Sequence, residues 1–340
     1  MNPLAADLDH VLAHTEGLWE ELRGQRFFIT GGTGFFGCWL LESFIWANDR
    51  LDLQAQAVVL TRNPEAFARK APHLARHPAV QLHAGDILSF PFPTGRFAHV
   101  IHAAIEYCAS LELFTRALEG TRRTLDFALE SGARRYLLTS SGAVYGRQPP
   151  DLMHLPEDYL GAPDPTQLRS AYGEAKRASE FLCAAFQAEH GLATMIARGF
   201  AFIGPYLPLD QASAIGNFIA DAMRGGPIRV KGDGTPWRSY LYGADLAAWL
   251  WTILLRGSPG RPYNVGSESA FSVAQVAQIV AEEVNPGAEI VIAARPVVGQ
   301  PAERYVPSTH RANAELGLTP WIDLREGVRR TAAWNARLLT

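Results

Sequence analysis

Residues 26–39 read R-F-F-I-T-G-G-T-G-F-F-G-C-W, and the fold follows from this stretch. Phe27, Phe28 and Ile29 form an apolar run of strand type. Gly31, Gly34 and Gly37 follow at three-residue spacing, and Phe36, Trp39, Leu40, Leu41, Phe44 and Ile45 then recur at helical spacing. Strand, glycine turn and helix make the first unit of a dinucleotide-binding sheet. The glycines let the backbone turn sharply and approach a pyrophosphate, and the helix N-terminus offers N–H groups to its charge. A glycine triplet alone fits any tight β–α turn. Its place between a buried strand and an amphipathic helix gives it weight.

The 340 residues suffice for one large α/β domain or two smaller ones that share a site. Nearly half are apolar and the formal charge is −3, which gives no sign of a nucleic-acid partner or an anionic membrane surface. Cys38, Cys108 and Cys183 have no metal-type spacing, so they read as reduced, packed thiols of a cytoplasmic protein. Residues 1–24 are too acidic for a signal peptide, and no apolar run nears the roughly 20 residues of a membrane span.

Outward from the glycine turn, residues 5–22 carry Leu8, Val11, Leu12, Leu18, Trp19 and Leu22 near one face and predict an amphipathic helix. Residues 57–60 predict a second strand, which ends in Thr61-Arg62-Asn63-Pro64. An acid at this strand end holds the adenosine ribose of NAD, whereas a basic residue suits the 2′-phosphate of NADP. Arg62 stands there, so NADP is expected, with NAD the alternative and a solvated surface arginine the bland reading. A third strand, residues 80–82, precedes Asp86 and Ile87; Asp86 reads as an adenine contact or a turn former. A fourth, residues 99–102, runs into Ala103 and Ala104, small enough for a nucleotide to lie against backbone. His99 and His102 read as structural, because no partner lies at metal-ligand spacing and no metal is expected.

A helix over 111–129, stopped by Gly132, leads to a fifth strand over 136–139. That strand delivers Ser140-Ser141-Gly142-Ala143-Val144-Tyr145-Gly146. Residues 147–169, rich in Pro and Asp, form a long loop that covers a site. A helix over 170–188 contains Tyr172 and Lys176, four apart and on one face. After a strand over 193–197 the pattern loosens, with loops at Pro205, Pro208 and Asp210 and a short strand over 228–230. Helices are expected over 215–223, 245–255, 273–284 and 324–338. This divides the chain into an N-terminal helix (1–24), a Rossmann-type doubly wound parallel α/β domain (25–198) and a smaller substrate-binding part (199–340), some segments of which return to the core.

Ser141, Tyr172 and Lys176 together carry chemistry. A phenol with a pKa of about 10 is a poor base at neutral pH. A lysine ammonium one helical turn away lowers it. Tyrosine can then take a proton from a substrate alcohol as hydride leaves its carbon, or return one to a carbonyl. Serine orients the same oxygen. Alone, a Tyr–Lys pair at this spacing is an ordinary helical pair; the preceding glycine turn and serine-bearing strand end change its meaning.

The sequence resembles the sugar-nucleotide epimerase/dehydratase branch of the extended short-chain dehydrogenase/reductases. The resemblance is carried by T-G-G-T-G-F-F-G (30–37), G-D-I (85–87), H-A-A (102–104), S-S-G-A-V-Y-G (140–146), Y-G-E-A-K (172–176), R-G-F-A-F-I-G-P (198–205) and G-D-G-T-P-W-R (232–238). These come in the family's order along most of the chain. The resemblance implies a bound NAD(P), a nucleoside-diphosphate sugar substrate, and a homodimer through the helices near 111–129 and 170–188. The implied cofactor set is Gly31, Thr33, Gly34, Phe35, Phe36, Gly37, Arg62, Asp86, Ile87, Ala103, Ala104, Thr139, Tyr172 and Lys176. Ser141, Gly142, Tyr145, Asn217, Arg238 and Arg295 are the implied substrate contacts, Arg238 at the diphosphate.

Two departures narrow the reaction. The family's sugar 4,6-dehydratases carry Asp-Glu directly after the catalytic Ser/Thr; Gly142-Ala143 stand here, and water elimination lacks its acid and base. The usual Asn of the R-x-F-N motif is Ala201. The expectation is an NADP(H)-dependent 4-keto reductase of a nucleoside-diphosphate deoxyhexose in surface-polysaccharide sugar synthesis. The alternatives are a C4 epimerase that keeps NAD bound, and a non-catalytic dinucleotide-binding sensor.

Overall fold

The computed structural model describes residues 2–104, 110–209 and 213–338. Cys108 and Asp210 lie outside the described residues. The chain forms two compact units: one of residues 1–146, 160–199 and 247–263, the other of 147–159, 200–246 and 264–340.

The first unit is built on parallel strands β1 (Arg26–Thr30), β2 (Gln56–Thr61), β3 (Val80–Ala84), β4 (His99–His102), β5 (Arg135–Ser141) and β6 (Ala193–Gly199). With the Pro262–Val265 strand they make a seven-stranded sheet in the order Pro262–Val265, β6, β5, β4, β1, β2, β3. This is the Rossmann-type α/β fold. The order reverses between β1 and β4, where Thr30 pairs with His102, and a sheet of this kind binds ligands at that switch point.

Strands β1, β2, β4, β5 and β6 are buried along most of their length because both faces are covered, whereas the edge strand β3 is partly exposed. Successive side chains of β1 point to opposite faces. Phe27 meets Phe44 edge-on at 4.8 Å and Trp251 at 5.5 Å. Phe28 packs on Phe90 at 5.4 Å and Phe127 at 4.6 Å, in a core with Val58, Val100, Leu125, Tyr136 and Ile196. Trp39, Phe27, Phe28 and Trp251 are all fully buried, and each side chain of this size contributes about 1.5–3 kcal/mol by leaving water.

The helix expected over 5–22 is two elements: a helix over Ala5–His14 and a 3-10 turn over Trp19–Leu22. The Thr15 hydroxyl donates back to Val11 O and accepts from Trp19 Nε1, and Gly17 turns with φ +76°, so the chain bends there. Trp19 still reaches the core, its ring 5.2 Å from Trp251. No helix among the described residues is long and apolar enough to cross a membrane.

The second unit holds helices Ala214–Met223, Val273–Val284 and Leu324–Arg337. Its strands are short. Ile228–Val230 pairs with Ile290–Ile292, Phe202–Ile203 with Leu241–Tyr242, and Trp237–Arg238 lies between Phe271–Ser272 and Arg304–Tyr305. Residues 147–159 are fixed within this unit: Gln148 Nε2 donates to Leu152 O and Met153 O, Gln148 Oε1 accepts from Val306 N, and Glu157 accepts from Asn264 N.

Candidate functional site

The glycine turn has distinct demands at each glycine. Gly31 has φ +69°, and a Cβ there would lie 2.5 Å from the Ala103 carbonyl carbon, so only glycine lets the end of β1 touch the end of β4. At Gly37 a Cβ would lie 2.4 Å from Gly31 O. Gly34, the N-cap of the Phe35–Leu51 helix, has φ −84°, and a Cβ there would meet only Gly31 O, at 3.4 Å. The protein's own packing does not require glycine at 34.

Gly34 borders a cavity of about 490 Å3, within the range of ligand pockets. The strand ends build it. β1 leads to Thr30, Gly31, Thr33 and Gly34; β2 to Thr61, Arg62 and Asn63; β3 to Asp86 and Ile87; β4 to Ala103 and Ala104. Eight residues expected from sequence to hold a cofactor therefore line one cavity: Gly31, Thr33, Gly34, Arg62, Asp86, Ile87, Ala103 and Ala104. Phe35, Phe36, Gly37, Thr139, Tyr172 and Lys176 lie outside its lining. Phe35 and Phe36 begin the helix, Gly37 packs under the turn, and Thr139 Oγ1 donates to His102 O at 3.3 Å.

Lys70 and Arg116 also line the cavity, and the sequence reading missed both. Lys70 ends a helix over Pro64–Lys70 and donates to Thr33 O at 2.8 Å. Asn63 caps that helix through Ala66 N, with Pro64 in its first turn; this Asn-Pro start was the legible signal. Arg116, on the Leu111–Glu130 helix, pairs with Asp86 at 2.8 Å. The Leu88 N–H, then Arg116 and more distant Arg62, hold the Asp86 carboxyl below its usual range. His102 is buried, with Nδ1 2.7 Å from Thr30 Oγ1 and Nε2 3.2 Å from Thr121 Oγ1. Burial, helped by Lys176, lowers its pKa to about 3, so the ring is neutral.

The proposed catalytic residues sit at the end of β5 and on the Ala171–His190 helix. β5 ends at Ser141, whose Oγ accepts from Ala143 N at 3.1 Å and caps a 3-10 turn over Gly142–Tyr145. The helix begins beside that turn. A Cβ on Gly173 would lie 2.7 Å from Ala143 O and 2.7 Å from Pro163 Cγ, so glycine after Tyr172 permits backbone contact between the two turns. Lys176, one helical turn on, is 4 % exposed and donates to Thr139 O at 2.6 Å. Burial lowers its pKa to about 8, against the opposing pull of Glu180.

Glu180, a further turn along, was not singled out from the sequence, although a carboxylate four residues after a buried lysine on one face was the available signal. It accepts from Ser140 Oγ at 2.5 Å and from Arg198 Nη2 at 2.6 Å. Arg198 Nη1 donates in turn to the buried Tyr145 hydroxyl at 2.9 Å. Gly142 lies in the same 3-10 turn as Tyr145. The remaining expected substrate residues belong to the second unit. Asn217 is half-buried on the Ala214–Met223 helix. Arg238 donates to Glu303 at 2.8 Å and to Trp237 O at 2.8 Å, and lies 6.0 Å from the Tyr305 ring centre. Arg295 is exposed.

Comparison with known proteins matches residues 27–266 to the family model described as the NAD dependent epimerase/dehydratase family. The chain is 32% identical over 312 residues to UDP-glucuronic acid decarboxylase 3 of Arabidopsis thaliana, covering 89% of this chain and 87% of that protein. Among solved structures it is similar to the UDP-glucuronic acid 4-epimerase from Bacillus cereus in complex with NAD, with TM-score 0.78 and 20% identity, covering 93% of this chain and 100% of that one. The Thermotoga maritima UDP-glucose 4-epimerase with UDP-glucose gives TM-score 0.77 and 20% identity, with 93% and 100% covered.

Proposed function

The chain belongs to the NAD dependent epimerase/dehydratase family, and we propose that it is an NADP(H)-dependent reductase acting at C4 of a nucleoside-diphosphate 4-keto-hexose. The observation that carries this reading is the buried Lys176 one turn from Tyr172, on a helix whose first turn presses on the turn after Ser141. Tyr172 would give its proton to the C4 oxygen. Ser141 would hold that oxygen in line, and the Lys176 ammonium would favour the departing phenolate charge and so ease the proton transfer. The chemistry supplied by the nicotinamide, when bound, is hydride donation to the sugar carbon.

The cavity fits such a cofactor. A Cβ at Gly34 would touch only Gly31 O, at 3.4 Å, so a glycine that packing does not demand there suits a pyrophosphate beside the helix N-terminus. Arg62, with Lys70 also lining the cavity, would hold the 2′-phosphate, and Asp86 with Ile87 would face the adenine. Gly142 and Ala143 supply no carboxylate for water elimination, which argues against a dehydratase. Arg238, held by Glu303, would meet the diphosphate, with Asn217 and Arg295 as weaker candidates. Exposed Leu111 and Phe181, on the two helices that the resemblance assigns to a homodimer, support that assembly.

The relatives favour a second reading. By name, one decarboxylates and one epimerises a UDP-hexuronate. A hexuronate oxidised at C4 is a β-keto acid, which loses CO2 readily, and the same Ser141, Tyr172 and Lys176 would serve it with a retained cofactor. Denaturing the purified protein and counting released dinucleotide by mass spectrometry separates the two. Empty protein that binds NADPH better than NADH supports the reductase. Near one NAD per chain contradicts it and turns attention to the hexuronates.

A further inference from the structure

Behind the proposed catalytic residues lies a four-residue cluster. Glu180 accepts from Ser140 Oγ at 2.5 Å, from Arg198 Nε at 3.0 Å and from Arg198 Nη2 at 2.6 Å. Arg198, on β6, also donates to Tyr145 OH at 2.9 Å, and its guanidinium carbon lies 4.8 Å from that ring's centre. Both side chains of the ion pair are largely buried, at 14% and 12% exposed. Ser140 and Tyr145 bracket Ser141 and the 3-10 turn that Tyr172's helix touches, so one ion pair grips both ends of that turn.

Glu180 is also four residues from Lys176, on the same face of the helix. We propose that Glu180, clamped by Arg198, is a positioning residue: through Ser140 it fixes the strand end that carries Ser141, and it supplies the counter-charge for the Lys176 ammonium. The proposal rests on the catalytic set assigned above. The groups facing Lys176 single out Glu180. On its own helix Cys183 is a buried thiol pushed far above its ordinary range, and on β4 His102 is a neutral ring. From β5 it meets the neutral Thr139 carbonyl. Arg198 on β6 is already engaged by Glu180 and Tyr145. Among these groups, only Glu180 offers negative charge to Lys176.

Composition makes the test direct, because the chain has three lysines, Lys70, Lys176 and Lys231. The full chain labelled with 13C at lysine Cε gives three assignable signals, titrated by NMR with no substrate or cofactor added. Burial lowers the Lys176 pKa to about 8, so the wild-type midpoint is expected there. Glu180→Gln lowers that midpoint by about one unit, as loss of a nearby opposite charge does. Lys70 and Lys231 do not move. Ser140→Ala, which removes one hydrogen bond and no charge, shifts Lys176 by less than Glu180→Gln does. If Glu180→Gln does not fold, Glu180→Gln with Arg198→Met, which leaves no unpaired Arg198 charge, takes its place, with a downward shift of the Lys176 midpoint that is smaller because a nearby cation is removed as well. A folded variant of either kind that leaves the Lys176 midpoint unmoved overturns the proposal. Because the readout needs no turnover, it stands apart from whether the reductase assignment succeeds.

Discussion

In the proposed reaction Lys176 is the residue on which the chemistry turns, because burial sets its charge. Burial lowers its pKa to about 8 in the folded chain, from about 10.5 when unfolded. Between those values the unfolded state binds the extra proton, so stability rises with pH through that window; below it the cost of burying the ammonium is present in full. Activity runs the other way. A neutral lysine no longer favours the Tyr172 phenolate, so the rate falls above about pH 8, and Lys176→Met abolishes that limb of the pH–rate profile. Tyr172→Phe lowers turnover by about 10²–10⁴-fold, the usual worth of a positioned acid, while NADPH affinity, read by fluorescence titration, falls far less because Tyr172 lies outside the cavity lining. A sensor without catalysis would lose nothing by that change. Arg62→Ala weakens NADPH by about tenfold or more, the loss of one charge-assisted contact, and leaves NADH binding unchanged.

At the scale of elements, the glycines separate packing from ligand. Gly37→Ala drives a Cβ to 2.4 Å from Gly31 O and destabilises by about 1–3 kcal/mol or more in a urea melt. Gly34→Ala meets only Gly31 O at 3.4 Å, so melting is unchanged, while dinucleotide affinity falls by at least about tenfold. Gly173→Ala pushes the Tyr172 turn away from Ala143 and lowers turnover more than it lowers cofactor affinity. The sequence shows the glycine turn, β1 to β6 and the Leu111–Glu130 and Ala171–His190 helices because each spans enough residues for its period to register. Two-residue strands such as Trp237–Arg238 and Arg304–Tyr305 show no alternation to read. The 5–22 segment keeps apolar periodicity across a bend made by Thr15 and Gly17, a local hydrogen bond that pattern alone does not reveal. Within the cavity lining, Gly31, Arg62, Asp86 and Ala103 are legible from their places at strand ends. Lys70, Arg116 and Glu180 were not singled out, since their roles come from side chains brought together across the fold.

For the whole molecule, a parallel sheet covered on both faces leaves its switch point, between β1 and β4, as the place for a ligand, and the cavity lies there. Fold membership leaves the reaction open, because function on this scaffold is set by the site. The most direct test supplies NADPH carrying deuterium at the transferable position of the nicotinamide, together with a dTDP-4-keto-6-deoxyhexose, and reads the product mass and the proton spectrum at C4. The account predicts one deuterium at C4, matched by one equivalent of NADPH oxidised, and the same transfer about 10²–10⁴-fold slower with Tyr172→Phe. Conversion of a nucleotide sugar with no label taken from added NADPH, or no label transfer to the keto sugar, would contradict it.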